Sequence, residues 1–309
     1  MKRMYELDAI RSFCFIWIVA VWHLNAYLMP SLHYSGYVLD IFHNITNAAL
    51  GMFTFLSGAL LSKYKFYKIN DAVFFYKKRL SRFFILLMVS TITYRILGWI
   101  STKQVFQVML GVNLFLGPSV PTLWFFSMMV FYYVITPLLK LGYSKKHQPF
   151  LCVTIAIIVY SLLFVFVYCF DSDKRLIFYF PMYFLGLYVG SDKLVTFIHS
   201  KWQLFVTPLM ILLFVGRMHP IIAEFSGGVL FALCGNLAFH QINNFWRFVS
   251  VSSMIAYLFH RQFFSFIMRV CEHQGKAFIP LYIAIGAFVV LVVISYYVQS
   301  KIDSFNKHI

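Results

Sequence analysis

Runs of apolar residues long enough to cross a bilayer dominate this chain and leave few architectures open to it. A hydrocarbon core roughly 30 Å thick takes about 20 residues of helix at about 1.5 Å per residue. Ten stretches approach that length: 12–30, 43–62, 83–100, 121–140, 149–170, 175–192, 202–216, 219–239, 247–268 and 278–299, the seventh being the shortest. The expected fold is an all-α, polytopic transmembrane helix bundle of about ten spans. Composition agrees, because only 12% of residues are charged where soluble domains carry about 25%. No repeat, low-complexity tract or Gly/Ser linker divides the sequence, so 1–309 reads as a single membrane domain with no fused soluble domain.

The first apolar run lacks a short core followed by a small-residue cleavage site and is expected to stay as an anchor. With the N-terminus inside, the 26 Lys and Arg divide 18 to 8 between inner and outer sides, which favours cytoplasmic termini at both ends. That bias absorbs most of the formal charge of +16 and leaves no case for nucleic acid. Cys14, Cys152, Cys169, Cys234 and Cys271 are scattered and read as small core residues rather than a disulfide or metal framework. His33, His43, His147, His199, His219, His240, His273 and His308 read as loop residues with no metal-ligand spacing, so no metal is expected. There is neither a serine nucleophile elbow nor a phosphate-cradling glycine loop.

The densest charge is "KYKFYKINDAVFFYKKRLSRFF", residues 63–84, with seven Lys/Arg. Lys78, Arg79 and Arg82 fall at i, i+1 and i+4 and are expected on one helical face. Phe74, Phe75, Phe83 and Phe84 would sit in the interface, giving a helix that lies on the membrane with a cationic edge. Two readings fit. One is topology plus attraction to anionic membrane lipid, worth about 1 kcal/mol per basic residue. The other is capture of a phosphorylated ligand from the cytosol by two guanidinium forks.

Five stretches occur in a telling order: "ELDAIRS" leading into a span that holds His23, "GMFTFLSGALL" at 51–61, the Arg79-Leu80-Ser81-Arg82 run, "LWFFSMMVFYYVITPLL" at 123–139 and "SSMIAYLFHRQFF" at 252–264. Together they resemble the membrane-bound acyltransferase-3 family over nearly the whole chain. The resemblance implies a bacterial inner-membrane enzyme that moves an acyl group, usually acetyl, from cytosolic acetyl-CoA or another acyl-CoA to a hydroxyl of an outward-facing glycan. O-antigen, capsule and exopolysaccharide are the usual acceptors, and some relatives use a further extracytoplasmic domain or partner. It also implies that Arg11 and His23 match the family's first-span arginine and histidine, and that Arg79 and Arg82 match its Arg-x-x-Arg pair. Asp8 matches the acidic residue before the arginine, and Trp124 the tryptophan of the "LWF" span.

One departure has physical content. The family commonly has ten residues between that arginine and histidine, and here there are eleven. Eleven helical steps return two side chains to within about 20° of one face, whereas twelve leave them about 120° apart. Either a one-residue bulge absorbs the difference, or the pair is not equivalent.

His23 lies about 18 Å along the axis from Arg11, and a histidine within a span is costly enough to mark function unless a neighbouring helix simply satisfies it. Its imidazole suits proton abstraction from a sugar hydroxyl attacking a thioester, or acylation of the ring itself. His260 and Arg261 fall at roughly the same depth. They either orient the acceptor, position a carboxylate and stabilise an oxyanion, or form a pair snorkelling to the surface. Glu224, one of few acids in apolar sequence, could pair with Arg261 or Arg95 or hold a histidine tautomer. Trp124, with Tyr132 and Tyr133, offers either stacking faces for a sugar or an anchoring belt. The competing class is a polysaccharide flippase or transporter without acyl transfer, although no matching half-chains with broken helices are visible.

Overall fold

In a computed structural model, the described residues are 4–28, 36–116, 119–140, 148–198, 200, 207, 210–211, 220–237, 243–276 and 278–305. Among them there is no strand. In chain order the elements are α1 (Tyr5–Ile16), a π-helical segment (Trp17–His23), α2 (Leu24–Leu28), α3 (Gly36–Leu61), α4 (Ile69–Ile96), α5 (Thr102–Met109) and α6 (Leu123–Lys140). They continue with α7 (Gln148–Cys169), α8 (Arg175–Phe178), α9 (Phe180–Ile198), α10 (Pro220–Leu237), α11 (Asn243–His273) and α12 (Leu281–Phe305). The seventh expected span falls mostly outside the described residues.

Four helices among the described residues are long and apolar enough to cross a membrane: Val38–Leu61, Leu123–Lys140, Phe150–Cys169 and Leu281–Ser304. The other long helices carry interruptions or charge. The first expected span is broken by its π-helical segment, and α9 departs from helical geometry at Gly190, whose φ of 75° only glycine adopts readily. The sequence of α11 includes Arg247, His260, Arg261, Arg269 and Glu272, so the polar groups that suggest function are also what lowers its hydropathy.

The chain forms two compact units, Met1–Ser57 with Val189–Ile309, and Gly58–Tyr188. In the first, α1 and α11 run parallel. The Ser250 hydroxyl donates to Asp8 Oδ1 at 2.7 Å, and beyond the π segment the Tyr27 hydroxyl of α2 meets Ser265 Oγ of α11 at 3.2 Å. Phe15 against Phe288 and Phe248 against Tyr296 tie α12 to the same core.

In the second unit, α4 is one uninterrupted helix of 28 residues. Its start is set by Asp71, whose Oδ2 accepts the backbone N–H groups of Tyr67 and Lys68 at 2.8 and 2.9 Å. Those N–H groups, Lys68 first, hold the exposed Asp71 carboxyl below its ordinary range. From Ile69 onward the basic stretch is therefore continuous with the helix that holds most of the third expected span, not a separate helix on the surface. The core of this unit is aromatic: Tyr132 stacks on Tyr183 at 4.9 Å, and Phe75 and Phe83 meet Tyr133 edge-on. The buried Lys140 ammonium donates to the carbonyls of Leu61 and Ser62, capping the end of α3.

Candidate active site

The π-helical segment between Arg11 and His23 is the one-residue bulge that their spacing called for. Its last turn is closed by the Leu24 N–H bonding to the Val19 carbonyl, five residues back. Absorbing one residue makes twelve steps equivalent to about eleven α-helical ones, which returns Arg11 and His23 to within about 20° of a common face. Trp17 pins the segment by donating from Nε1 to Thr46 Oγ1 at 3.1 Å, and Trp22 packs edge-on to His43 at 4.6 Å. His43 accordingly lies inside α3 rather than in a loop.

At the end of the π segment the His23 ring stacks on that of His260, with centroids 4.5 Å apart and planes 13° from parallel. Two helices that leave the same side in parallel thus bring together imidazoles that the sequence places at similar depth. His260 is fully buried, and its Nδ1 donates to the Tyr257 carbonyl at 2.6 Å. A carbonyl can only accept, so this bond fixes the proton on Nδ1 and leaves the Nε2 lone pair free in the neutral ring. Nε2 of His260 and Nδ1 of His23 are both buried without a hydrogen-bond partner, as is Nε of the adjacent Arg261. Unpartnered buried polar atoms are uncommon in folded proteins, and three of them occur here on neighbouring residues.

Glu224 is in the same unit and completely buried, with both carboxyl oxygens unpartnered. It therefore makes no hydrogen bond to Arg261, Arg95 or a histidine. The Arg95 Nε donates instead to Thr102 at 3.4 Å, and the His260 tautomer is set by a backbone carbonyl. Gly51 of α3 lies against Glu224, where an added Cβ would come within 3.1 Å of the Glu224 Cβ. The "GMF" glycine thus allows the close approach of the two helices.

In the other unit, Arg79 turns toward an aromatic wall. Its Nη2 donates to the Tyr64 hydroxyl at 3.0 Å, its guanidinium lies 5.3 Å from the Tyr64 ring centroid, and its Nε is buried without a partner. Phe66 and Phe75 continue that wall. Lys78 does not share this face: its ammonium lies over Phe74, on the exposed side, at 5.6 Å. Consecutive helical residues diverge by about 100°, so the expected common face of Lys78 and Arg79 is not formed. The Arg82 side chain lies outside the described residues.

Trp124 is buried at the start of α6, with the Arg175 guanidinium 4.0 Å from its ring centroid and Tyr179 stacked beside it at 5.9 Å. Tyr132 and Tyr133 are core residues. Cys14, Cys152 and Cys271 are buried, whereas Cys169 is exposed. Among the described residues no group of three His, Cys, Asp or Glu is placed to hold a metal.

Neither the curated proteins nor the solved structures yield a match to the chain. A family model described as an acyltransferase domain does match, over residues 4–298. With nearly the whole chain covered, this protein belongs to the acyltransferase-3 family of membrane acyltransferases.

Proposed function

We propose that the chain is a membrane O-acyltransferase of ten spans with both termini in the cytoplasm of a bacterium, taking acetyl from cytosolic acetyl-CoA and placing it on a hydroxyl of a surface or secreted glycan. The observation that carries this reading is the stacking of His23 on the fully buried His260 in a chain of this family. His23 takes the proton of the acceptor hydroxyl as its oxygen attacks the thioester carbonyl, and the carbon–sulfur bond breaks to release the coenzyme A thiolate. An acyl-histidine at the same ring would divide this transfer into two steps. His260, held in one tautomer, and Arg261 orient the acceptor and meet the charge that develops on the carbonyl oxygen.

On the donor side, Arg79 and Arg82, with Lys78, supply cationic groups for the phosphates of coenzyme A. The aromatic wall beneath Arg79 supports this role, because a guanidinium fixed against a ring and a hydroxyl is presented with less loss of entropy. Titration of coenzyme A against the full chain in nanodiscs tests the assignment. Arg79→Ala and Arg82→Ala should each weaken binding at least about tenfold, the loss of roughly 1.4 kcal/mol. Unchanged affinity in both variants would remove the donor site from this place. A flippase has no need of the thioester, so donor dependence also separates the two classes.

A further inference from the structure

At one end of the Gly58–Tyr188 unit, three turns are knitted together. The Asp173 N–H donates to the Leu114 carbonyl at 3.0 Å, and Ser172 Oγ donates to the Phe115 carbonyl at 3.2 Å. Arg175 grips Asp173 through Nε at 2.8 Å and through Nη2, which also reaches Ser119 Oγ, while the guanidinium lies on Trp124. Next in sequence to Leu114, and between Ser119 and Trp124, both amide atoms of Asn113 and the hydroxyl of Thr122 are buried without a partner, each residue being 1% exposed. Thr122 also has a φ of 68°. A β-branched residue adopts that conformation only under strain of about 1–3 kcal/mol, which is kept where function requires it.

We infer that Asn113, Thr122 and the outer edge of Arg175 form a saccharide-binding site, with Trp124 and Asp173 holding Arg175 in place. An amide that both donates and accepts, a hydroxyl and a guanidinium edge are suited to the alternating donors and acceptors of a sugar ring. Asp173 balances the charge of Arg175, so the group as a whole is neutral, which disfavours phosphate and favours a polyhydroxylated ligand. Arg175 is the accessible member, with 36% of its side chain exposed, and a ligand hydroxyl that reaches Asn113 and Thr122 satisfies atoms otherwise buried at a cost. The Trp124 ring thus serves the sugar indirectly, through Arg175, rather than as an open stacking face. The choice of a glycan on the outer side rests on the proposed function.

The test uses the full chain in nanodiscs on an array of immobilised oligosaccharides that includes deoxy, amino and uronic-acid sugars. Wild type should bind at least one glycan, and Asn113→Leu and Thr122→Gly should each weaken that binding at least about tenfold. Glycine adopts positive φ without strain, so Thr122→Gly should unfold no earlier than wild type, and loss of binding in it reports the hydroxyl and not misfolding. Binding to no glycan, or equal binding by both variants, overturns the inference. Coenzyme A titration and acetyl transfer are read on the same samples. Glycan binding without transfer would defeat the proposed function and leave this site standing, while transfer with no effect of either variant would do the reverse.

Discussion

Gly58 gives the sharpest mutational test of the packing. An added Cβ there would lie 2.3 Å from the Tyr183 carbonyl oxygen and 2.9 Å from the Leu187 nitrogen. Both are backbone atoms of α9, so no side chain can swing away. Reaching even 3.0 Å from the oxygen requires a separation of about 0.7 Å, within a core where Tyr183 also bonds Thr136 and stacks on Tyr132. Overpacking of this kind costs about 1–3 kcal/mol. The rigid neighbours put Gly58→Ala near the upper end, from which alanine's better helix propensity recovers about 1 kcal/mol. The net loss is about 2 kcal/mol. Gly286 in α12 is the matched control, since nothing lies within 4 Å of its Cβ position, and Gly286→Ala should gain about 1 kcal/mol. At roughly 2–4 °C per kcal/mol for a chain of this class, Gly58→Ala should melt about 4–8 °C below wild type and Gly286→Ala slightly above it. Thermal unfolding of detergent-solubilised protein, followed by tryptophan fluorescence, reads both. If Gly58→Ala melts with or above wild type, the close crossing of α3 and α9 is wrong.

Other outcomes follow from single features. Deleting Ala20 converts the π segment to α-helix and keeps Arg11 and His23 on one face. Acetyl transfer in membrane vesicles should therefore survive the deletion, whereas inserting an alanine after Ala20 turns His23 by about 100° and should abolish it. The opposite pattern would show that the shared face is irrelevant. Tyr64→Phe keeps the ring under Arg79 but removes the hydroxyl, and should weaken coenzyme A binding by about 1 kcal/mol, or about fivefold, in titration calorimetry; no change would free Arg79 from that support. At Asp173 burial raises the carboxyl, but the hydrogen bonds from Arg175 and Ser119 and the Arg175 charge outweigh it and hold it below its ordinary range. The ionised form is favoured by folding, so its stabilisation is full above the ordinary carboxylate value and fades as pH falls through the lowered one. Melting temperature between pH 6 and pH 3 should accordingly fall less in Asp173→Asn than in wild type, and parallel curves would contradict this.

What could be read from residues alone divides along physical lines. Long apolar runs bounded by polar turns announce their own ends, and the spans expected at 121–140 and 149–170 became Leu123–Lys140 and Gln148–Cys169. The similar depth of His23 and His260 was legible for a different reason, though the stacking of their rings was not. Depth in a bilayer is set by residue count from the inner side, and two helices running in one direction align residues of equal depth. The bulge was legible only as an irregular spacing, because an inserted residue leaves no mark on hydrophobic periodicity. Apolarity also misled at α4, where the expected span starts at 83 while the helix begins at Ile69; helical hydrogen bonds continue through charged residues that a hydropathy profile treats as an end. The lone carboxyl of Glu224 and the Arg175 cluster depend on contacts between distant segments, and no local pattern encodes those.

The central claim is that the ring of His23 carries acyl transfer from coenzyme A to a glycan. It is tested most directly by incubating vesicles containing the full chain with radiolabelled acetyl-CoA and measuring label in the surface polysaccharide. The account predicts steady incorporation by wild type and a fall of about 10²–10⁴ in His23→Ala, with coenzyme A affinity unchanged. Incorporation by His23→Ala at the wild-type rate would contradict it.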